Sequence, residues 1–440
     1  MNTLARLRAG QLAGTQRLQL ACGLEEFPQE IFELADTLEI LDLSGNALSQ
    51  LPDDLPRLKK LRILFCSDNA FTELPSVLGR CPQLTMIGFK ANRIERIAPG
   101  ALPPALRWLI LTDNRLTELP LDIGACNQLQ KLMLAGNQLR ALPPALAQCR
   151  RLELLRISAN HLTELPEWLL QLPKLSWLAY AGNLFCEPSE TSRTALQEIT
   201  PVPWHSLTLE HTLGEGASGV IHQALMQSSA GQQAVAVKIF KGAVTSDGLP
   251  QCEMAACLHA GAHPHLVPIL GQVTEHPQDK RALVMALIDP VFVNLAGPPS
   301  LESCTRDIYP AHTAFEENTV LRLALGIARA ARHLHAQGLM HGDLYGHNIL
   351  HNGDGQALLG DFGAASFLPR QNPTQALALQ QLEVRALGCL LEELLAHSPS
   401  FGESAKRQVL IHLTNACLDE TPSQRPLFSA IEQALADLTQ

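Results

Sequence analysis

A single asparagine returns at nearly constant spacing through the first 186 residues of this 440-residue chain. Successive copies are 22 or 23 residues apart, in segments such as "LEILDLSGNALSQLP" and "LRWLILTDNRLTELP". The seven positions are Asn46, Asn69, Asn92, Asn114, Asn137, Asn160 and Asn183. A fixed period of this length predicts an array of stacked units in which each unit packs only against its neighbours.

The repeated pattern LxxLxLxxNxL is the signature of the leucine-rich repeat family, which this half of the chain resembles. Each unit is expected to form a short strand with alternate Leu side chains turned inward. A turn then follows, and its buried backbone groups are expected to be satisfied by the Asn amide. For residues 1–186 we therefore predict a leucine-rich-repeat solenoid.

One position in each predicted strand, just before the second Leu, is expected to face the concave side of the solenoid. Most of its members are large and apolar, and a monomer rarely leaves such a stripe uncovered. The apolar members are Ile40, Ile63, Met86, Trp108, Leu154 and Trp177. The occupant could be a client protein, a second copy or the second half of the chain, and the side chains could also simply pack against one another.

After residue 203 the pattern changes to strand, glycine turn and strand. In "LGEGASGVI", Gly214, Gly216 and Gly219 lie between two β-prone stretches, which favours a hairpin that closes over phosphates rather than a dinucleotide-binding turn. The strand "VAVKIF" then carries Lys238, whose ammonium suits phosphate oxygens. Glu253 follows in the helical segment "LPQCEMAACLHA", where it could pair with Lys238.

Three further acceptors occur in "HGDLYGHN" and "DFG", namely Asp343, Asn348 and Asp361. With the preceding motifs, they resemble the protein kinase catalytic domain over residues 204–437. The resemblance implies a bilobal α+β fold that uses ATP and Mg²⁺. It implies a catalytic role for Asp343 as the base, for Lys238 with Glu253 on the phosphates, and for Asn348 and Asp361 as the metal ligands. The nucleotide would contact the three glycines, Met285 and Ile288.

Four features depart from the kinase pattern. Gly342 replaces the Arg that usually receives an activation-loop phosphate, so we expect no such switch. Tyr345 replaces a residue that commonly contacts the γ-phosphate. Glu383 follows Asp361 at a distance of only 22 positions and no APE motif occurs, so the peptide platform is trimmed and Arg425 is expected to lack its usual carboxylate partner. A small-molecule phosphotransferase and a silent pseudokinase scaffold therefore stay open as alternatives.

The composition of the chain disfavours some kinds of binding partner and indicates a compartment. The net charge of −10 and the pI near 5.9 weigh against a nucleic-acid or anionic-membrane surface. Eleven Cys without a CxxC pair suit a reducing compartment. The sequence shows neither a signal peptide nor an 18-residue apolar run, so we expect a cytoplasmic protein without a membrane span, although export as an effector stays open.

We therefore predict three segments: a leucine-rich-repeat domain at 1–186, a linker at 187–203 and a protein-kinase-like domain at 204–437. The predicted function is transfer of the ATP γ-phosphate to Ser or Thr hydroxyls, either on the chain itself or on a protein client. The repeats are expected to serve as the docking module. The sequence does not decide between Ser/Thr and Tyr specificity.

Overall fold

In the computed structural model of the protein, residues 3–186, 200–216, 218–228, 231–242, 244–399 and 404–439 are described. The chain divides into two compact units. The first comprises Met1–Lys174 and Asn183–Phe185, and the second comprises Leu175–Gly182 and Cys186–Gln440. The strand of the seventh repeat thus belongs to the second unit by its contacts, although its sequence continues the repeat.

Short parallel strands, one to a repeat, form the sheet of the first unit. The unit contains helix α1 (Thr3–Arg8) and strands β1 (Arg17–Gln19), β2 (Ile40–Asp42), β3 (Ile63–Phe65), β4 (Glu73–Leu74), β5 (Met86–Gly88), β6 (Arg96–Ile97), β7 (Trp108–Ile110), β8 (Lys131–Met133) and β9 (Leu154–Arg156). Strands β4 and β6 pair with each other, and the remaining strands pair in chain order at equivalent repeat positions. Turns of 3-10 helix lie at Gln29–Leu34, Leu55–Arg57, Ser76–Arg80, Leu121–Ala125, Pro144–Gln148 and Glu167–Gln171. The predicted repeat fold is confirmed.

The repeated asparagines satisfy the backbone of the turns, as expected. Asn137 is typical: its Oδ1 accepts a hydrogen bond from the backbone N–H of Leu116 at 3.0 Å. Its Nδ2 donates to the carbonyls of Leu111 and Leu134, each at 2.9 Å. A side-chain amide that links two successive repeats satisfies buried backbone groups that no strand ladder reaches, and this explains why the residue type recurs.

The predicted apolar stripe is more deeply buried than expected. Ile63, Met86 and Leu154 are only 3–4% exposed, so these three side chains are not available to a client protein, which is one of the occupants that the sequence left open. Pairing in register sets successive members of the column side by side, where large side chains shield one another. The Lys131 ammonium covers the ring of Trp108 at 4.1 Å from its centroid. Ile40 and Trp108 remain half-buried.

A six-stranded sheet forms the first part of the second unit. Its strands, in spatial order, are β11 (Pro201–Pro203), β15 (Ile269–Thr274), β16 (Ala282–Ala286), β14 (Gly231–Phe240), β13 (Gly219–Ser228) and β12 (Leu207–Glu215). The unit also contains strand β10 (Trp177–Ala179), helix α2 (Pro250–Ala260) and the 3-10 turn Trp204–Ser206. Val235, Val237, Ala282 and Val284 are fully buried and form the centre of the sheet's core.

Helices dominate the rest of this unit. They are α3 (Glu317–Ala336), α4 (Pro373–Ala396), α5 (Ala405–Cys417) and α6 (Phe428–Thr439), with 3-10 turns at Gly346–Asn348 and Pro422–Gln424. Short strands accompany them, namely β17 (Val293–Asn294), β18 (Leu339–Met340), β19 (Ile349–His351), β20 (Ala357–Leu359) and β21 (Ser366–Phe367). Asn372 caps α4 by accepting from the backbone N–H of Gln375, and Pro373 occupies the first helical position, where its missing N–H costs nothing. The predicted bilobal fold is confirmed.

The predicted linker is only partly described, because residues 187–199 lie outside the described part of the chain. Strand β11, which falls within the predicted linker, pairs in parallel with β15 and so belongs to the sheet of the second unit. The boundaries at residues 186 and 204 stay predictions. Among the described residues, no helix is both long enough and apolar enough to cross a membrane.

Candidate active site

A cavity of about 550 Å³ in the second unit is lined by both the six-stranded sheet and the helical part. Its apolar wall includes Ile221, Ala236, Val267, Leu283, Met285 and Leu350. Its polar lining includes Lys238, Glu253, Asn348 and Asp361. An apolar hollow with a few convergent polar groups is the usual form of a small-molecule site. A larger hollow of about 790 Å³, lined by Val220, Phe240, Lys241 and Gln251 among others, contains none of these polar groups.

Lys238 and Glu253 form a buried ion pair in the cavity wall. Strand β14 supplies Lys238 and helix α2 supplies Glu253, and the Lys238 Nζ donates to Glu253 Oε1. The side chains are only 10% and 3% exposed. Burial lowers the pKa of Lys238, but the carboxylates of Glu253 and Asp361 raise it further, so the net shift is upward. Burial raises the pKa of Glu253 to about 7 against the lowering effect of Lys238. The pair presents a fixed cation to an anionic ligand.

Asp343 and Asn348 are joined within one loop. The Asn348 Nδ2 donates to both the backbone carbonyl and the Oδ2 of Asp343, each at 2.9 Å. These bonds orient the amide so that its Oδ1 is directed away from Asp343, and Asn348 lines the cavity. Strand β18 leads into the loop, and the backbone N–H of Asp343 donates to His341 Nδ1 at 3.3 Å.

Asp361 follows strand β20 and reaches the same cavity. Its backbone lies in the left-handed region at φ +50°, and its Oδ1 accepts from the backbone N–H of Gly363 at 3.1 Å. The same carboxylate lies 3.9 Å from Lys238 Nζ and is 52% exposed. A non-glycine residue with positive φ is uncommon and often marks a functional position.

The three glycines form the end of the hairpin that strands β12 and β13 make. Gly216 N donates to Gly219 O at 2.9 Å, and Gly219 leaves no room for a side chain because a Cβ would lie 2.6 Å from the carbonyl of Ile239. Leu213 and Ile221, one on each strand of the hairpin, line the cavity. Met285 and Ile288 line its opposite side, where strand β16 leads towards the helical part.

Two kinds of family model match parts of this chain. Residues 207–389 match the family of protein tyrosine and serine/threonine kinases, and residues 104–162, 127–185 and 37–58 match leucine-rich repeats. The chain carries leucine-rich repeats followed by a protein kinase domain.

Relatives of known name agree with the kinase assignment. Serine/threonine-protein kinase PkaA of Streptomyces coelicolor is 29% identical over 261 residues, which is 52% of this chain and 46% of the relative. A relative from Oryza sativa subsp. japonica, named after the cyclin-dependent kinases, is 30% identical over 208 residues, which is 43% of this chain and 62% of the relative. A probable inactive serine/threonine-protein kinase of Dictyostelium discoideum is 26% identical over 148 residues, which is 28% of this chain and 12% of the relative. The chain thus spans less than two thirds of each of these relatives.

In the kinase domain, a buried glutamate holds the loop that carries Asp343. Glu383, which is fully buried in helix α4, accepts from the backbone N–H of Gly342 at 2.6 Å and contacts His335 Nε2 at 2.7 Å. Burial alone raises the pKa of Glu383, but these hydrogen bonds and the nearby His341 keep it below its ordinary value. The carboxylate is therefore an ionised anchor for the loop.

Tyr345 is buried against the side chain of Trp177. Its ring is 4% exposed and lies parallel to the indole of Trp177, with 4.1 Å between centroids and 8° between planes. Trp177 is itself only 1% exposed, and of the occupants that the sequence left open it is the second half of the chain that covers this side chain. By its contacts, strand β10 is grouped with the unit that contains the kinase domain.

The segment that follows Asp361 is short, as the sequence indicates. Strand β21 pairs antiparallel with β18, and helix α4 begins at Pro373.

Arg425 is 2% exposed, and its guanidinium donates to the backbone carbonyls of Asp419 at 2.9 Å and Gln381 at 3.3 Å. Backbone carbonyl groups thus accept hydrogen bonds from the buried guanidinium of Arg425.

The residues of the kinase domain fit a magnesium–nucleotide ligand. Within the described ranges, no group of three or more His, Cys, Asp and Glu side chains is arranged to hold a metal by itself. Mg²⁺ in phosphoryl-transfer sites is usually held by one or two protein oxygens together with phosphates and waters. The Asp361 carboxylate and the Asn348 amide are the kind of oxygen ligand that this mode requires.

Sequence reasoning missed a second ion pair beside the loop. His347 lines the cavity, and its Nδ1 contacts Asp307 Oδ1 at 2.7 Å. Burial lowers the pKa of His347, but the hydrogen bond to Asp307 and the negative charges of Asp307, Asp343 and Asp361 raise it above its ordinary value. The two partners lie 40 residues apart, so no local motif marks them.

Proposed function

We propose that this chain is a protein kinase that transfers the γ-phosphoryl group of ATP to a Ser or Thr hydroxyl of a protein. One observation carries the proposal: the Lys238–Glu253 pair, Asn348 and Asp361 line a single cavity, and Asp343 is hydrogen-bonded to Asn348. Phosphoryl transfer needs this combination of cations for the phosphates and oxygens for the metal. The names of the serine/threonine kinases among the relatives support the choice of hydroxyl.

Each polar group has a proposed role. Asp343 accepts the proton of the incoming hydroxyl, and Lys238, oriented by Glu253, binds the α- and β-phosphate oxygens. Asn348 and Asp361 hold Mg²⁺, which neutralises phosphate charge when it is bound. The Lys238–Glu253 pair is buried before any ligand arrives, so the protein contributes a site that needs no reorganisation of these two side chains.

The apolar wall and the glycine hairpin are proposed to hold the rest of the nucleotide. Met285 and Ile288 contact the adenine, and the hairpin with Gly214, Gly216 and Gly219 covers the phosphates. Glycines suit this place because the Cβ positions of Gly214 and Gly216 face open space, which lets the backbone approach a ligand closely.

The leucine-rich repeats suggest a protein-interaction role, and we propose that they bind a protein client of the kinase. Because Ile63, Met86, Leu154 and Trp177 are buried, these four members of the predicted stripe do not take part. The repeats are proposed to hold the client near the kinase domain, which raises the local concentration of the substrate hydroxyl.

The full chain with Mg²⁺ and γ-labelled ATP tests the enzymatic proposal. The wild type is expected to label itself or an added protein, and Asp343→Asn is expected to reduce the rate by at least about a hundredfold, the contribution that a general base commonly makes. Asp354→Asn, at an exposed turn outside the cavity, is the matched control and should keep the wild-type rate.

Three results would contradict the proposal. Equal labelling by wild type and Asp343→Asn would exclude Asp343 as the base. Labelling of a small alcohol but of no protein would identify a small-molecule phosphotransferase. Magnesium-dependent ATP binding without any transfer would identify a silent scaffold.

A further inference from the structure

Strand β10 contacts the loop that carries Asp343. The Trp177 indole Nε1 donates to the backbone carbonyl of Leu344 at 3.1 Å. Leu344 directly follows Asp343, so this bond acts one residue from the proposed base. The ring of Trp177 covers Tyr345 at the same time. One buried side chain therefore makes two contacts with consecutive loop residues.

Gly342 shows that the backbone of β10 occupies space beside the loop. Gly342 has φ +73°, and a Cβ there would lie 2.6 Å from the carbonyl oxygen of Leu178 and 2.5 Å from that of Ala364. No side chain fits at either distance, and positive φ is unfavourable for any residue other than glycine. The strand thus lies where residue 342 would otherwise place its side chain.

Tyr180 extends the contact to strand β21. Its hydroxyl donates to the carbonyl of Phe367 at 2.9 Å, and its backbone N–H donates to Ser366 Oγ at 3.2 Å. Ser366 and Phe367 pair with Met340 and Leu339, which lead into the loop. Tyr180 is only 2% exposed. Its contacts with β21 are therefore buried, as are the contacts of Trp177 with the loop.

We infer that Trp177 and Tyr180 are positioning residues of the kinase domain, which set the backbone of the loop at Leu344 and so direct the Asp343 carboxylate. This inference rests on the proposed function. Neither side chain is among the residues that line the nucleotide cavity, so their effect acts on the loop rather than on nucleotide contacts. Misplacing a catalytic group by about 1 Å can slow a reaction about a hundredfold, which is the scale of effect to expect.

The test compares Trp177→Ala and Trp177→Phe in the full chain. Trp177→Ala removes both the hydrogen bond and the stack, and kcat is expected to fall by about tenfold to a hundredfold with the Kd for ATP within about twofold of wild type. Trp177→Phe keeps an aromatic ring against Tyr345 but loses the bond to the Leu344 carbonyl, so its kcat should lie between those of wild type and Trp177→Ala. Trp168→Ala, on the 3-10 turn Glu167–Gln171, is the matched control and should leave kcat unchanged.

Hydrogen exchange of the backbone amides of residues 339–348 gives a second measure that does not need enzymatic activity. Trp177→Ala should speed exchange in this segment, and Trp168→Ala should not. If Trp177→Ala fails to fold, Tyr180→Phe replaces it, because this variant keeps the ring, loses the hydroxyl's bond to Phe367 and should speed exchange in the same segment.

The outcomes separate the inference from the proposed function. If wild type transfers no phosphate while Trp177→Ala still speeds exchange in residues 339–348, the kinase proposal fails and Trp177 still sets the loop. If wild type is active and Trp177→Ala keeps both its kcat and its slow exchange, the positioning role is overturned. Equal losses of kcat and of ATP affinity would also overturn it, because they would indicate general damage to the domain.

Discussion

The indole of Trp177 and the phenol ring of Tyr345 lie parallel, 4.1 Å apart at their centroids, although the two residues are far apart in the sequence. Trp177 occupies a repeat position and Tyr345 a position of the kinase loop. The stack accounts for the burial of Tyr345, which departs from the usual kinase pattern. Offset-stacked and edge-to-face aromatic pairs add about 0.5–1.5 kcal/mol beyond the area that they bury.

Gly342→Ala should destabilise the chain strongly. The substituted residue would have to keep φ +73° and would place its Cβ within 2.6 Å of two carbonyl oxygens. We expect a loss of at least about 2 kcal/mol in the free energy of unfolding, since strained backbone alone costs about 1–3 kcal/mol. Urea unfolding followed by far-UV circular dichroism measures this loss.

Gly353→Ala is the control for that experiment. Gly353 also has positive φ, at +82°, but a Cβ there meets no atom within 4 Å. Its substitution should cost only the backbone strain, so the difference between the two variants reports the close approach of Leu178 and Ala364. Equal losses would show that the position of β10 does not exclude a side chain at residue 342.

Glu253→Gln should weaken both stability and catalysis. Removing one partner of a buried ion pair leaves the other charge uncompensated, which typically costs about 3–5 kcal/mol. Lys238 would keep Asp361, at 3.9 Å, as its nearest carboxylate and should lose its fixed direction towards the phosphates. Chemical unfolding gives the stability, and titration calorimetry with Mg²⁺–ATP gives the affinity.

Glu215→Gln provides the matched comparison, because Glu215 also pairs with a lysine, Lys241, but at an exposed position. Exposed pairs contribute little, so this variant should stay close to wild type in stability. If the buried and the exposed variants behaved alike, the Lys238–Glu253 pair would have no special structural role.

The His347–Asp307 pair should make stability depend on pH. The folded pKa of His347 is raised above its ordinary value of about 6.5, since Asp307 outweighs burial. The folded state therefore binds the proton more tightly, and the contribution is fully present below about pH 6.5 and is lost as pH rises through the raised pKa. His347→Gln should remove this dependence, as measured by unfolding at a series of pH values.

His263 should show the opposite sign. Burial, aided by the nearby His333, lowers the pKa of His263 to about 4. The unfolded chain then binds the proton more readily, so stability should fall as pH decreases from about 6.5 towards 4. His263→Gln should flatten that acid limb and leave the limb above pH 6.5 unchanged. A single shared pH dependence for both variants would contradict these assignments.

Asp361→Asn should separate metal binding from nucleotide binding. The amide carries no charge, so Mg²⁺ should no longer raise the affinity for ATP, whereas binding in EDTA should change by less than about threefold. Calorimetry with and without Mg²⁺ measures both affinities. A variant that keeps the full magnesium dependence would remove Asp361 from the proposed metal site.

Much of the site was predictable because its motifs are local. The ion pair between Lys238 and Glu253 joins residues only 15 apart, and Asp343 and Asn348 are five apart. In such short segments the predicted strands, turns and helices already indicate which side chains lie close to one another. The partners of the loop were not predictable in the same way: Gly342 contacts Glu383, 41 residues away, through a backbone N–H that carries no residue-type signal.

The sequence by itself determined the repeat array and the kinase domain, because a spaced Asn and the short motifs around Gly216, Asp343 and Asp361 each act through neighbouring residues. Only the tertiary structure decided the surroundings of Trp177. Its repeat position predicts an outward-facing strand residue, whereas its hydrogen bond reaches a carbonyl 167 residues later. The sequence period predicts which face of a strand a side chain occupies, but the path of the whole chain determines which residues cover that face.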